Sequence, residues 1–64
     1  MGYSREMREN RGMLLEELAQ ECRIPSATLR KYETGDISPI MDDLEKIASV
    51  LDYYISDLFE SDLT

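Results

Sequence analysis

Residues 15–35 read LEELAQECRIPSATLRKYETG, and the fold turns on this stretch. Leu15, Leu18, Ala19 and Cys22 recur at spacings of three and four, which lines one face of a helix over about Leu15 to Cys22. Arg23-Ile24-Pro25 breaks that pattern as a three-residue turn. A second helical segment follows from about Ser26 to Thr34, and Gly35 supplies a left-handed terminus at its end. At roughly 100° per residue, Thr28, Leu29, Tyr32 and Glu33 share one side of this segment. Ser26, Ala27, Arg30 and Lys31 share the other. The first side reads as core-facing. The second is small at its start and basic one turn later.

Working outward, Ser4 can cap a first helix running to about Arg11, with Tyr3 and Met7 four apart on one face and Gly12 as its stop. Beyond Gly35, Asp36 to Ile40 is a loop containing Pro39. A further helix covers about Met41 to Leu51, with Met41, Leu44, Ile47, Ala48 and Leu51 as its apolar stripe. A last short helix, about Ile55 to Phe59, would lay Ile55, Leu58 and Phe59 over the rest as a lid. Nowhere do β-branched and polar residues alternate as a strand requires. The expected architecture is all-α: one compact five-helix domain over residues 1–64, its core about 4–59 and its tail, 60–64, short and acidic.

Composition narrows the function. Sixty-four residues leave no room for a second core, and a chain this short must rely on well-packed helices for its stability. The single cysteine, Cys22, excludes an internal disulfide framework and fits a packing role. There is no histidine, and no nucleophile–base pair, phosphate loop or metal cluster stands out, so an enzyme is not expected. No metal, cofactor or small-molecule ligand is evident. Apolar runs reach only three residues, as in Met13-Leu14-Leu15, too short for a membrane span or a signal-peptide core. A reduced cytoplasmic protein is the expectation.

The central pair of helices and its short turn have the dimensions of a helix-turn-helix. Together with Arg8, Arg11-Gly12-Met13, Glu17-Leu18-Ala19, Ile24-Pro25, Thr28-Leu29, Tyr32-Glu33-Thr34-Gly35, Pro39, Leu44, Lys46-Ile47-Ala48, Leu51 and Asp57-Leu58-Phe59, the chain resembles the phage repressor and Cro type (Xre-like) family of DNA-binding domains. The resemblance spans about Ser4 to Phe59. It implies a lambda-repressor-like fold and a transcriptional regulator that places its third helix in the major groove of double-stranded DNA, acting as a homodimer on a two-part operator. Positions matching Ser26, Ala27 and Lys31 are typical base readers in the family, and those matching Thr28 and Thr34 often touch phosphate. Arg30 can reach guanine acceptors or phosphates, while Arg11 and Arg23 add to the positive field. The family often joins an arginine of the first helix to the glutamate before the Thr-Gly turn. Arg8 and Glu33 occupy those positions, so a partly buried structural ion pair is expected. Family members also often dimerise near the closing segment, where Tyr53, Tyr54, Ile55 and Phe59 are the candidate contacts.

The departures from the family pattern matter as much. Leu14 and Leu15 stand where the family usually has a capping Ser or Thr and a phosphate-binding Gln. Arg23 replaces the usual turn glycine, and the loop Asp36-Ile37-Ser38-Pro39 carries no positive charge. Net charge is -7, unfavourable for a DNA ligand taken as a whole. Its distribution softens that objection. Residues 1–31 hold six basic and five acidic side chains, whereas residues 32–64 hold one basic and nine acidic. The competing expectation keeps the fold and makes it a protein-interaction module, such as an antitoxin, an anti-repressor or an oligomerisation domain, with weak or no DNA binding.

Overall fold

A computed structural model describes residues 2–52, with side chains described from Ser4 onward. Four α-helices follow in chain order: α1 (Gly2–Asn10), α2 (Leu15–Cys22), α3 (Ser26–Thr34) and α4 (Met41–Leu51). The described residues contain no strand. The expected fifth helix, the Tyr53–Phe59 dimer contacts and the acidic tail lie outside the described residues, as does the side chain of Tyr3.

The apolar positions picked out by helical spacing converge on one core. Leu18, Leu29, Ile47 and Leu51 are fully buried, and Met7, Ala19, Cys22, Ile24, Tyr32, Leu44 and Ala48 surround them. Helix α2 packs against both α3 and α4, and α1 closes the remaining side against the same two helices. Two expectations need correction. Met41 is 55% exposed, because it sits in the first turn of α4, one turn outside the buried stripe that starts at Leu44. Ser4 does not cap α1, because the helix already runs from Gly2. Ser4 lies inside its first turn and is buried.

The helix ends follow from local chemistry. Arg23 adopts φ 59° and ψ 39°, and Gly35 adopts φ 84°, so both helices of the central pair stop in the left-handed region. After α2 the Arg23 N–H donates to the Gln20 carbonyl and the Ile24 N–H to the Ala19 carbonyl. That wraps the last carbonyls and drops Ile24 into the core. Glycine adopts this conformation freely. Arginine pays about 1 kcal/mol for it.

One polar contact crosses the apolar core. The Arg8 guanidinium donates from Nε to Glu33 Oε2 at 2.8 Å and from Nη2 to Glu33 Oε1 at 3.0 Å, tying α1 to α3. Its third nitrogen, Nη1, donates to the Met13 carbonyl at 2.6 Å, and the Met13 N–H donates back to the Arg8 carbonyl. The side chains are only 11% and 4% exposed. Hydrogen bonding to Glu33 raises the Arg8 pKa further above its usual value. A second tie runs from the Tyr32 hydroxyl, which donates to Asp43 Oδ2 at 2.5 Å and joins α3 to α4.

Two outcomes follow from this packing. Removing one member of a buried pair strands the other charge, at a cost of about 3 kcal/mol or more. A domain of this size has roughly 3–5 kcal/mol in total, so Glu33→Ala should be largely unfolded at 25 °C by far-ultraviolet circular dichroism. An unchanged melting midpoint would contradict the assignment. The second outcome concerns pH. The hydrogen bond to Asp43 pushes the Tyr32 phenol up to about 12, and burial pushes the Cys22 thiol up to about 11. Both groups are neutral in the native state, while the unfolded chain releases their protons near pH 9 to 10. The stability they provide is therefore complete below pH 9 and lost progressively between pH 9 and 12. Urea midpoints measured across that range should fall, and less steeply in Tyr32→Phe.

Candidate nucleic-acid interface

Helix α3 is divided cleanly along its length. Leu29, Tyr32 and Glu33 are buried and Thr28 is half-buried, while Ser26, Ala27, Arg30, Lys31 and Thr34 are exposed. The buried side is locked on three fronts: apolar packing, the Glu33–Arg8 pair and the Tyr32–Asp43 bond. What remains outside is a rigid ridge. Two short residues, Ser26 and Ala27, form its first turn, and two cations stand one turn further on.

The two cations differ in their surroundings. Arg30 leans toward the start of α2, where its Nη2 lies 3.8 Å from Glu16 Oε1. There it borders a shallow concavity of about 260 Å³ lined by Arg5, Arg8, Leu15, Glu33 and Thr34. Lys31 is exposed and forms no ion pair among the described residues. The Thr34 hydroxyl donates to the Lys31 carbonyl at 3.2 Å, which secures the last turn of α3. Arg11 lies exposed in the turn after α1, and Arg23 lies exposed in the turn between α2 and α3. The structure thus gathers Ser26, Ala27, Arg30, Lys31 and Thr34 on one side of one helix. Thr28 sits at the edge of that side, and Arg11 and Arg23 lie on the flanking turns.

The helix starts are unusual. None of Leu14, Pro25 and Ile40, which precede α2, α3 and α4, has a side-chain oxygen to offer, and none makes a side-chain cap. At α2 the deficit is half repaired. Glu17 Oε1 accepts the Leu14 N–H at 2.9 Å, which is the returning arm of a capping box whose forward arm leucine cannot supply. Leu14 itself is 63% exposed, whereas Leu15 is half-buried against the core.

Three acidic residues acquire partners that the residue-by-residue reading missed. The spacing Leu14 to Glu17 is that of a capping box, so Glu17 was legible once leucine is seen to fill only half the motif. Asp43 and Glu16 left no such trace. Their partners, Tyr32 and Arg30, lie eleven and fourteen residues away and meet them only in the folded chain.

A helix-turn-helix family model matches residues 5–58, most of the chain. No match is found among curated proteins or solved structures. The chain belongs to the Xre-like helix-turn-helix family, a DNA-binding regulatory family whose members are typically non-enzymatic. No helix among the described residues is long and apolar enough to cross a membrane.

Two substitutions test the local account of this unit. Leu14→Ser completes the capping box with Glu17 and removes an exposed leucine, so it should stabilise the domain by about 1 kcal/mol. Arg23→Gly relieves the left-handed arginine and should add up to about 1 kcal/mol. Denaturant melts report both. A loss of stability in either variant would show that the helix end is held by something other than the bonds described.

Proposed function

We propose that this chain is a sequence-specific DNA-binding transcriptional regulator that inserts α3 into the major groove. The single observation that carries the reading is the divided helix. Its inner side is fixed to the core by an ion pair and a hydrogen bond, and its outer side offers Ser26, Ala27, Arg30, Lys31 and Thr34 as a rigid ridge. A major groove about 12 Å wide accepts such a helix. Ser26 and Ala27 allow its first turn to approach the base edges, where the Ala27 methyl meets a thymine methyl. Arg30 and Lys31 then reach guanine acceptors. Thr28, Thr34, Arg11 and Arg23 serve the phosphates on either side. In this reading residues 1–64 act as one domain and pair as a homodimer, with two α3 helices in successive grooves roughly 34 Å apart.

A second reading rests on exposed apolar side chains. Leu14, Ile37, Ile40 and Met41 are all substantially exposed, and the loop between α3 and α4 carries no cation to meet a phosphate. Such a surface favours a protein partner, with the same fold used as an interaction module.

Gel-shift titration separates the two. Once a site has been selected from random DNA, Arg30→Ala and Lys31→Ala should each weaken binding to it by about tenfold, the scale of one lost base contact. Unchanged affinity in both variants would remove α3 as the reading element. No detectable binding of the wild-type chain to duplex at low salt would favour the protein-partner reading.

A further inference from the structure

We infer that Glu16 is a positioning residue for Arg30, holding the guanidinium away from the DNA backbone and so limiting non-specific binding. The inference rests on the DNA-binding reading above. Arg5, Arg8, Arg30 and Lys46 stand in ion pairs within the described residues. Arg5 is paired with Glu9 and Lys46 with Asp43, each within its own helix. Arg8 is buried against Glu33. The Arg30–Glu16 pair differs from all three. It joins two helices at the exposed surface, unlike the buried Arg8–Glu33 pair, and it engages a cation of the outward ridge of α3.

The geometry makes this pair competitive rather than structural. Glu16 lies in the first turn of α2, where the positive end of the helix favours its charge. Arg30 reaches it across the junction at 3.8 Å, beyond hydrogen-bond distance, with side-chain exposures of 62% and 66%. A contact so open to water does little for folding. It does set what Arg30 meets first. A phosphate arriving at this side of α3 must displace Glu16 and sits close to its negative charge, so exchanging a carboxylate for a phosphate gains little. A guanine edge is different. Its two acceptors accept the guanidinium in a bidentate geometry that a single phosphate oxygen or the distant Glu16 does not provide. Arg30 is therefore released where the sequence repays it and retained where it does not. Lys31, which forms no ion pair among the described residues, has no such restraint there.

The test is a double-variant cycle on binding to random-sequence duplex, with affinity followed from low to moderate salt for the wild type, Glu16→Gln, Arg30→Ala and the combined variant. Freeing one cation to neutralise one more phosphate steepens the dependence of log K on log salt by about 0.9. Glu16→Gln should therefore steepen the slope by about that amount and tighten low-salt binding roughly fivefold. With Arg30→Ala as its own reference, adding Glu16→Gln should bring no gain of slope. Glu16→Gln should lower the melting midpoint by only the few degrees that losing a charge at a helix start costs, and by the same amount with and without Arg30, which separates positioning from a structural role. Equal tightening with and without Arg30 would show Glu16 acting as a bare negative charge and would overturn the inference. So would no effect of Glu16→Gln on a wild type that binds. If none of the four proteins binds duplex at low salt, the DNA reading falls and takes this inference with it.

Discussion

The Arg8–Glu33 pair is the constraint on which the rest of the structure depends. Three of the arginine's nitrogens are committed, two to the carboxylate on α3 and one to the Met13 carbonyl at the approach to α2. A carboxylate on the inner side of α3 would be untenable alone in this environment. A guanidinium is suited to it, because its planar fork satisfies both oxygens and still has a donor left for the backbone. Lysine, a single-point cation, could not serve all three acceptors in that geometry. One side chain thus fixes the distance from α1 to α3 and the course of the chain into α2.

That fixation gives the outer side of α3 its meaning. Helices as short as eight or nine residues are marginal in isolation, and α3 holds its shape because its inner side is held. Tyr32 adds a second anchor, donating to Asp43 at the start of α4. Between these two ties lies Leu29, fully buried. The helix cannot roll without breaking an ion pair, a hydrogen bond and core packing together, so the ridge of Ser26, Ala27, Arg30, Lys31 and Thr34 is presented at a fixed angle.

The electrostatics of the molecule are economical. Most of the acid lies in residues 32–64, after the cations of the ridge in the chain, and salt screens charges beyond about 8 Å. Much of the positive charge in residues 1–31 is already answered locally, by Glu9, Glu16 and Glu33. Net charge alone therefore misjudges this surface in both directions. Much of the acid counted in the value of -7 is separated from the ridge along the chain, and the basic half offers fewer uncommitted cations than its count implies.

Much was legible in the sequence. The spacing of Leu15, Leu18, Ala19 and Cys22, the turn at Arg23-Ile24-Pro25, the left-handed stop at Gly35, and the stripe from Leu44 to Leu51 located α2, α3 and α4, because helix periodicity and termination are local properties. The division of α3 into a buried and an exposed side followed from the same periodicity. The failures were also local in form. Met41 fits the stripe by spacing, yet it sits one turn outside the buried part of α4 and is exposed, and Ser4 looks like a cap only until the helix is found to begin before it. What the tertiary structure alone decided is which charges meet. Tyr32 finds Asp43, and Arg30 turns from the ridge toward Glu16, through contacts between helices that leave no period in the chain. Sequence determined the helices and their faces because those depend on neighbours a few residues away. The electrostatic state of the ridge depends on side chains brought together by packing, and only the folded chain sets it.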